Sequence, residues 1–104
     1  MQILVNTDNQ ITGSSRMETY VREMAENALK HYMDHITRTI VYMTDQNAEK
    51  EGSDDIQCKI EVRIKGKEPF IVEAKDESQD KALSQALNKV KARMKTIKGK
   101  MKEK

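Results

Sequence analysis

Two histidines in the sequence are candidate metal ligands. His31 and His35 stand four residues apart, a spacing that places two imidazoles on one face of a helix, where both could bind a metal ion. No third ligand is evident nearby, and two ligands do not complete a tetrahedral shell. A cationic histidine near the C-terminus of a helix is also stabilised by the helix dipole. The sequence therefore predicts no metal centre here.

Cys58 is the only cysteine, which excludes an internal disulfide and a zinc site built from cysteines. It stands in an apolar row between Ile56 and Ile60. A reactive thiol needs exposure and a cationic neighbour. We therefore expect a small buried side chain at this position and no nucleophile.

Further features of the sequence speak against catalysis and cofactor binding. The four glycines are isolated, so no glycine-rich phosphate loop is present. A run of acidic residues between positions 45 and 55 lacks the ligand periodicity of a calcium loop. It is more typical of a solvated connection between strands. We expect a protein that is not an enzyme and holds no cofactor.

Basic residues accumulate at the C-terminal end of the chain. From Lys89 onward there are eight basic residues and one acidic residue, a charge of +7, whereas the first 88 residues hold eleven basic and sixteen acidic residues, a charge of −5. The helix dipole explains lysines in the last turn only, and these continue for about four turns. A solvated helix face is one interpretation, and contact with the phosphates of a nucleic acid is the other. We favour the second, through these residues: Lys89, Lys91, Arg93, Lys95, Lys98, Lys100 and Lys102.

Aromatic residues are too few to read bases by stacking on their rings, since the chain has one phenylalanine and three tyrosines, and most of these fit core positions. Recognition of structured RNA by its shape and phosphates is therefore the expected mode.

The elements that position this basic segment follow from hydrophobic periodicity. Residues 56–65 alternate strictly between apolar and polar, which predicts a strand with one buried and one wet face. Apolar residues recur at helical spacing from Met17 to Tyr32, including Tyr20, and again from Leu83 to Met101. The predicted elements are strands at 2–6, 36–44, 56–65 and 70–74, a helix at 16–32, a polar loop at 45–54, and a last helix capped by Asp76 or Ser78.

The order β-α-β-β-β-α predicts an α+β protein of two layers. The first two strands, joined through a helix, should be parallel, and the later strands should form antiparallel hairpins. Both helices should cover the same face of a four-stranded sheet. The length of 104 residues fits one domain, 1–104, with a basic end at about 95–104. Residues 1–6 lack the pattern of a signal peptide, and no apolar run approaches the roughly 20 residues of a membrane span, so we expect a cytoplasmic protein.

Several segments resemble the ribosome hibernation-promoting factor and ribosome-associated inhibitor family, also called the sigma-54 modulation protein family. They are MQILVN at 1–6, LKHYMDHI at 29–36, ITR at 36–38, Ala82 with Leu83, NKV at 88–90 and the lysine-rich end. The resemblance spans nearly the whole chain and implies a fold similar to double-stranded-RNA-binding domains. It also implies binding to the small ribosomal subunit in the channel for messenger and transfer RNA, and so inhibition of translation under stress.

By position, the resemblance assigns RNA contact to Lys89, to the basic end at 95–104 and to Arg38. We take Arg38 and Lys30 as weaker candidates than the cations of the last helix. Long members carry an additional C-terminal dimerisation domain, so the chain resembles a short form.

A different class of function is a protein-interaction module. The apolar stripe from Leu83 to Met101 has heptad-like spacing, so the last helix could pair with another helix. If the strands of the sheet are only about five residues long, Met94, Ile97 and Met101 have no obvious partner on it. Weak self-association through the last helix is the corresponding alternative.

Overall fold

Four strands and two helices make up the computed structural model, which describes residues 1–7, 15–45 and 56–102. The elements are β1 (Gln2–Thr7), α1 (Ser15–Leu29), a short 3₁₀ helix (Lys30–Tyr32), β2 (Ile36–Asp45), β3 (Ile56–Ile64), β4 (Phe70–Asp76) and α2 (Gln79–Lys102). All six predicted elements are confirmed, with ends that move by a few residues at most. The predicted polar loop lies outside the described residues, apart from the backbone of Asp45.

The strands form one sheet in the order β1-β2-β3-β4. β1 and β2 are parallel, and the other neighbouring strands are antiparallel, as the sequence predicts. The register aligns Leu4, Ile40, Glu61 and Ile71 in one row across the four strands. Because side chains alternate between the two faces of a strand, this row lies on the face opposite the helices.

The core fills the space between the sheet and both helices, so the two-layer α+β architecture is confirmed. The alternating apolar residues of β3 are all buried, and they pack with Val21, Ala25 and Leu29 of α1 and with the apolar stripe of α2. Met17 and Met24 are partly buried against this core. Complete burial of one large apolar side chain stabilises the folded state by about 1.5–3 kcal/mol. The packing of this core therefore outweighs the conformational preferences of the separate segments.

The apolar stripe of α2 is used within the molecule. Met94 is completely buried and Ile97 is half-buried against the core. The expectation that these two residues have no partner on the sheet is therefore wrong, because β3 and β4 are nine and seven residues long and extend under the helix. The side chain of Met101 lies outside the described part of the chain.

Helix α2 is capped at its N-terminus by Ser78, one of the two predicted caps. The Ser78 hydroxyl accepts a hydrogen bond from the backbone N–H of Lys81 at 3.1 Å, the standard interaction of an N-cap residue. Asp76 instead accepts hydrogen bonds from the Glu77 backbone N–H at 2.7 Å and from the Gln85 side chain. These contacts hold the first two turns of α2 against the end of β4.

One residue of the predicted apolar stripe of α1 is not in the core. Tyr20 is 43% exposed, and its hydroxyl donates a hydrogen bond to a carboxylate oxygen of Asp80 in the first turn of α2. At the other end, the Tyr32 ring contacts Lys98. The N-terminal parts of α1 and α2 are therefore in contact, and so are the segments at their C-terminal ends. The two helices run in the same direction.

Candidate nucleic-acid interface

The cations of α2 lie on two flanks of the helix. At 100° per residue, Lys89, Arg93 and Lys100 lie on one side of the buried stripe, and Lys91, Lys95 and Lys98 lie on the other. Five of the six are exposed and Lys98 is half-buried. We call the first set the β4 flank, because Lys89 and Arg93 contact β4, and the second set the α1 flank, because Lys98 contacts Tyr32 in the 3₁₀ helix that directly follows α1.

The β4 flank is held against the sheet by two contacts. The Lys89 ammonium donates a hydrogen bond to the backbone carbonyl of Glu73 at 2.5 Å. The Arg93 guanidinium lies over the ring of Phe70, 4.8 Å from its centroid. The charge of Lys89 therefore lies beside β4, and the guanidinium of Arg93 has a fixed position at the start of that strand.

The α1 flank joins the ends of the two helices. The Lys98 ammonium lies 5.7 Å from the centroid of the Tyr32 ring, within the range of a cation–π contact. Lys30 is exposed at the beginning of the 3₁₀ helix that ends at Tyr32. The structure thus brings Lys30 to the same end of the molecule as Lys98, and its role in RNA contact stays a prediction.

No acidic side chain among the described residues forms an ion pair with a cation of either flank. In the described part of the chain, the ion pairs are Lys59–Glu73, Arg63–Glu61 and Lys81–Glu77. None includes a cation of either flank. By contrast, Lys81 in the first turn of α2 has a raised pKa because it donates a hydrogen bond to Glu77. The positive potential of α2 therefore grows toward its C-terminal half and remains available to an anionic partner.

Arg38 does not lie beside the α2 cations. It pairs in register with Gln2 and Arg63 on the face of the sheet opposite the helices, and its Nε donates to the side chain of Gln2 at 3.2 Å. The alternation of strand side chains separates it from α2. The side chain of Lys102 lies outside the described residues.

The sequence reasoning missed two cations near the β4 flank. Lys65 and Lys67 are exposed around Gly66, in the turn that joins β3 to β4. The φ angle of Gly66 is +72°, a left-handed conformation that glycine adopts without strain. Between this turn and α2 lies an open groove of about 920 Å³, lined by Ile64, Gly66, Lys67, Glu68, Pro69, Phe70, Arg93 and Ile97. In the sequence, the Lys-Gly-Lys pattern at 65–67 was the feature that could have identified Lys65 and Lys67.

The remaining candidates for chemistry are Cys58 and the side chains that could bind a metal ion. Cys58 is completely buried, as predicted, and burial raises the pKa of its thiol to about 12. Across residues 1–7, 15–45 and 56–102, no three His, Cys, Asp or Glu side chains are grouped so that they could hold a metal ion. None of the helices in these residues is long and apolar enough to cross a membrane.

A two-layer α+β domain whose last helix carries two rows of cations, none of them in an ion pair with a described acid, has features typical of nucleic-acid-binding proteins. The comparison with protein families gives the more particular result: residues 4–102 match the model of the sigma 54 modulation protein / S30EA ribosomal protein family. The chain belongs to this family, as the resemblance found in the sequence implies. Members are ribosome-associated modulation proteins with no enzymatic activity, so the chain is a ribosome-associated protein of the hibernation type.

Solved structures of low sequence identity share the fold. The crystal structure of the N-terminal domain of Protein Y from Thermus thermophilus has a TM-score of 0.74 and 16% identity, and the match covers 93% of this chain and 99% of that one. The structure of a ribosomal subunit interface protein from Coxiella burnetii has a TM-score of 0.70 and 15% identity, with 95% and 99% covered. No curated protein sequence matches the chain. The likeness to double-stranded-RNA-binding domains stays a prediction.

Proposed function

We propose that this protein binds the ribosomal RNA of the small subunit, in the cytoplasm, and blocks the channel for messenger and transfer RNA. The observation that carries the proposal is the pair of cationic flanks on α2, which no described acid neutralises. Membership of a family of ribosome-associated proteins supports ribosomal RNA as the nucleic acid that this surface binds.

Binding is electrostatic in this mechanism. The β4 flank and the α1 flank present charges on both sides of one helix, so they can contact the phosphates of two RNA segments that approach from different directions. In the sequence, Lys102 and Lys104 add charge to the basic end at 95–104. Lys30 extends the α1 flank. Arg38, on the other face, is the weaker candidate because it would need a separate RNA contact.

Inhibition is steric and requires no covalent step. A single ribosome-binding domain lodged in the decoding channel excludes transfer RNA as long as it is bound. Release follows from weakening the phosphate contacts, which is why the occupancy should depend strongly on salt.

The test is co-sedimentation of the purified protein with small ribosomal subunits across a salt series, with total transfer RNA as a control for non-specific binding. We expect saturable binding to the subunit that weakens steeply as salt rises. A variant that ends at Lys95 should bind more weakly and with a flatter salt dependence. Equal binding to transfer RNA, or no binding to subunits at low salt, contradicts the proposal.

A further inference from the structure

The groove beside the β3–β4 turn combines an apolar floor with a stacking surface. One face of the Arg93 guanidinium lies over Phe70, which is buried, while Arg93 itself is exposed and lines the groove. The guanidinium is thus supported from below and open on its other side. Ile97 and Pro69 provide further apolar lining.

The polar groups of the groove suit a nucleotide. Guanidinium planes stack on nucleobases that have left a helix. Lys67, on the turn, supplies an ammonium for a phosphate, and the carboxylate of Glu68 can accept a hydrogen bond from a base that presents an amino group. A purely anionic ligand would gain little from the apolar lining, and a purely apolar ligand would leave both cations and the carboxylate unused.

We propose that this groove accepts one unpaired nucleotide of ribosomal RNA, with its base stacked on the open face of Arg93 and its phosphate against Lys67. The inference rests on the proposed function and adds a local contact that differs from phosphate neutralisation. The ring of Phe70 fixes the guanidinium before RNA arrives, so the stacked position costs little side-chain entropy.

The discriminating variant is Arg93→Lys, which keeps the charge and removes the planar group. Stacking of one base contributes about 1–3 kcal/mol, so we expect affinity for small ribosomal subunits to fall by roughly fivefold or more, with the slope of the salt dependence unchanged. The reverse substitution on the face of the sheet opposite the helices, Lys75→Arg, keeps charge as well and should leave affinity unchanged. Lys67→Gln should weaken binding and also lower the salt slope by about 0.7–0.9, as expected when one phosphate is no longer neutralised.

Each outcome of this experiment has a distinct meaning. If the wild-type protein binds subunits and Arg93→Lys binds equally well, the stacking inference is overturned while the proposed function stands. A loss of affinity accompanied by a flatter salt slope assigns Arg93 to phosphate contact alone and also overturns it. If wild-type protein does not bind subunits, the proposed function itself fails. Thermal unfolding of each variant checks that the fold is retained.

Discussion

The ammonium of Lys98 lies over the ring of Tyr32, 5.7 Å from its centroid. This contact joins the basic half of α2 to the 3₁₀ helix that follows α1, at the opposite end of the helix pair from the hydrogen bond between Tyr20 and Asp80. Lys98, the last cation of the α1 flank, therefore has a defined position. The contribution of the α1 flank to RNA binding can be tested separately from that of the other cations.

We predict that charge on the α1 flank matters more than equal charge elsewhere. The double variant Lys91→Gln with Lys95→Gln should reduce the affinity for small ribosomal subunits, and the salt slope should fall by about 0.7–0.9 for each phosphate that is no longer neutralised. The matched control is Lys59→Gln with Lys75→Gln, which changes the net charge equally on the face opposite the helices. Salt-dependent co-sedimentation of both variants is the measurement, and equal losses of affinity would assign binding to net charge alone.

Met94 should be a major contributor to stability, because it is completely buried under the C-terminal half of α2. Met94→Ala leaves a cavity, and we expect a loss of about 2–5 kcal/mol in the free energy of unfolding, measured with urea. Met94→Leu conserves volume and should cost less than about 1.5 kcal/mol. A negligible effect of Met94→Ala would mean that this part of α2 does not pack on the sheet in solution.

Alkaline pH should destabilise the protein through Cys58. Burial raises the pKa of this thiol to about 12, whereas in the unfolded chain the pKa is near its ordinary value of 9.0. Between these values the unfolded state loses the proton that the folded state retains, so the contribution to stability is complete below about pH 9 and decreases above it. The slope approaches about 1.4 kcal/mol for each pH unit.

The comparison that isolates the Cys58 contribution is wild-type protein against Cys58→Ala, unfolded by urea between pH 7 and pH 10.5. Other groups titrate equally in both proteins, so the difference between their unfolding free energies should narrow as pH rises. A constant difference would show that the thiol is accessible to water in the folded state.

The hydrogen bond between Tyr20 and Asp80 should contribute modestly. Because the Asp80 carboxylate accepts this hydrogen bond, the pKa of the Tyr20 phenol is raised. The pair is solvent-exposed, however, and water competes for both groups. We expect Tyr20→Phe to cost less than about 1 kcal/mol in the free energy of unfolding. Tyr42→Phe, a tyrosine on the opposite face of the sheet, serves as the matched control, and a much larger loss for Tyr20→Phe would mean that the hydrogen bond fixes the packing of the two helices.

Sequence reasoning reached the fold because each element carries a strong local signal. The strict alternation of β3 specifies which of its residues are buried, and the helical spacing around Val90 specifies the buried stripe of α2. The alternation in β3 predicts burial directly, because a one-residue shift in the pairing of this strand would move all of its apolar side chains to the solvent face. The concentration of lysines from Lys89 onward likewise indicates the candidate surface from the sequence alone.

The tertiary structure decided how those lysines are arranged and what surrounds them. Docking of α2 through its buried stripe divides its cations between two flanks, while the pleat of β2 sends Arg38 to the far face of the sheet. The groove of Arg93 and Lys67 forms only when the β3–β4 turn meets α2, more than twenty residues further along the chain. Local spacing in a sequence reports the face of one element. Which faces meet depends on packing between elements that are distant in the chain, and that is why only the folded molecule revealed these relationships.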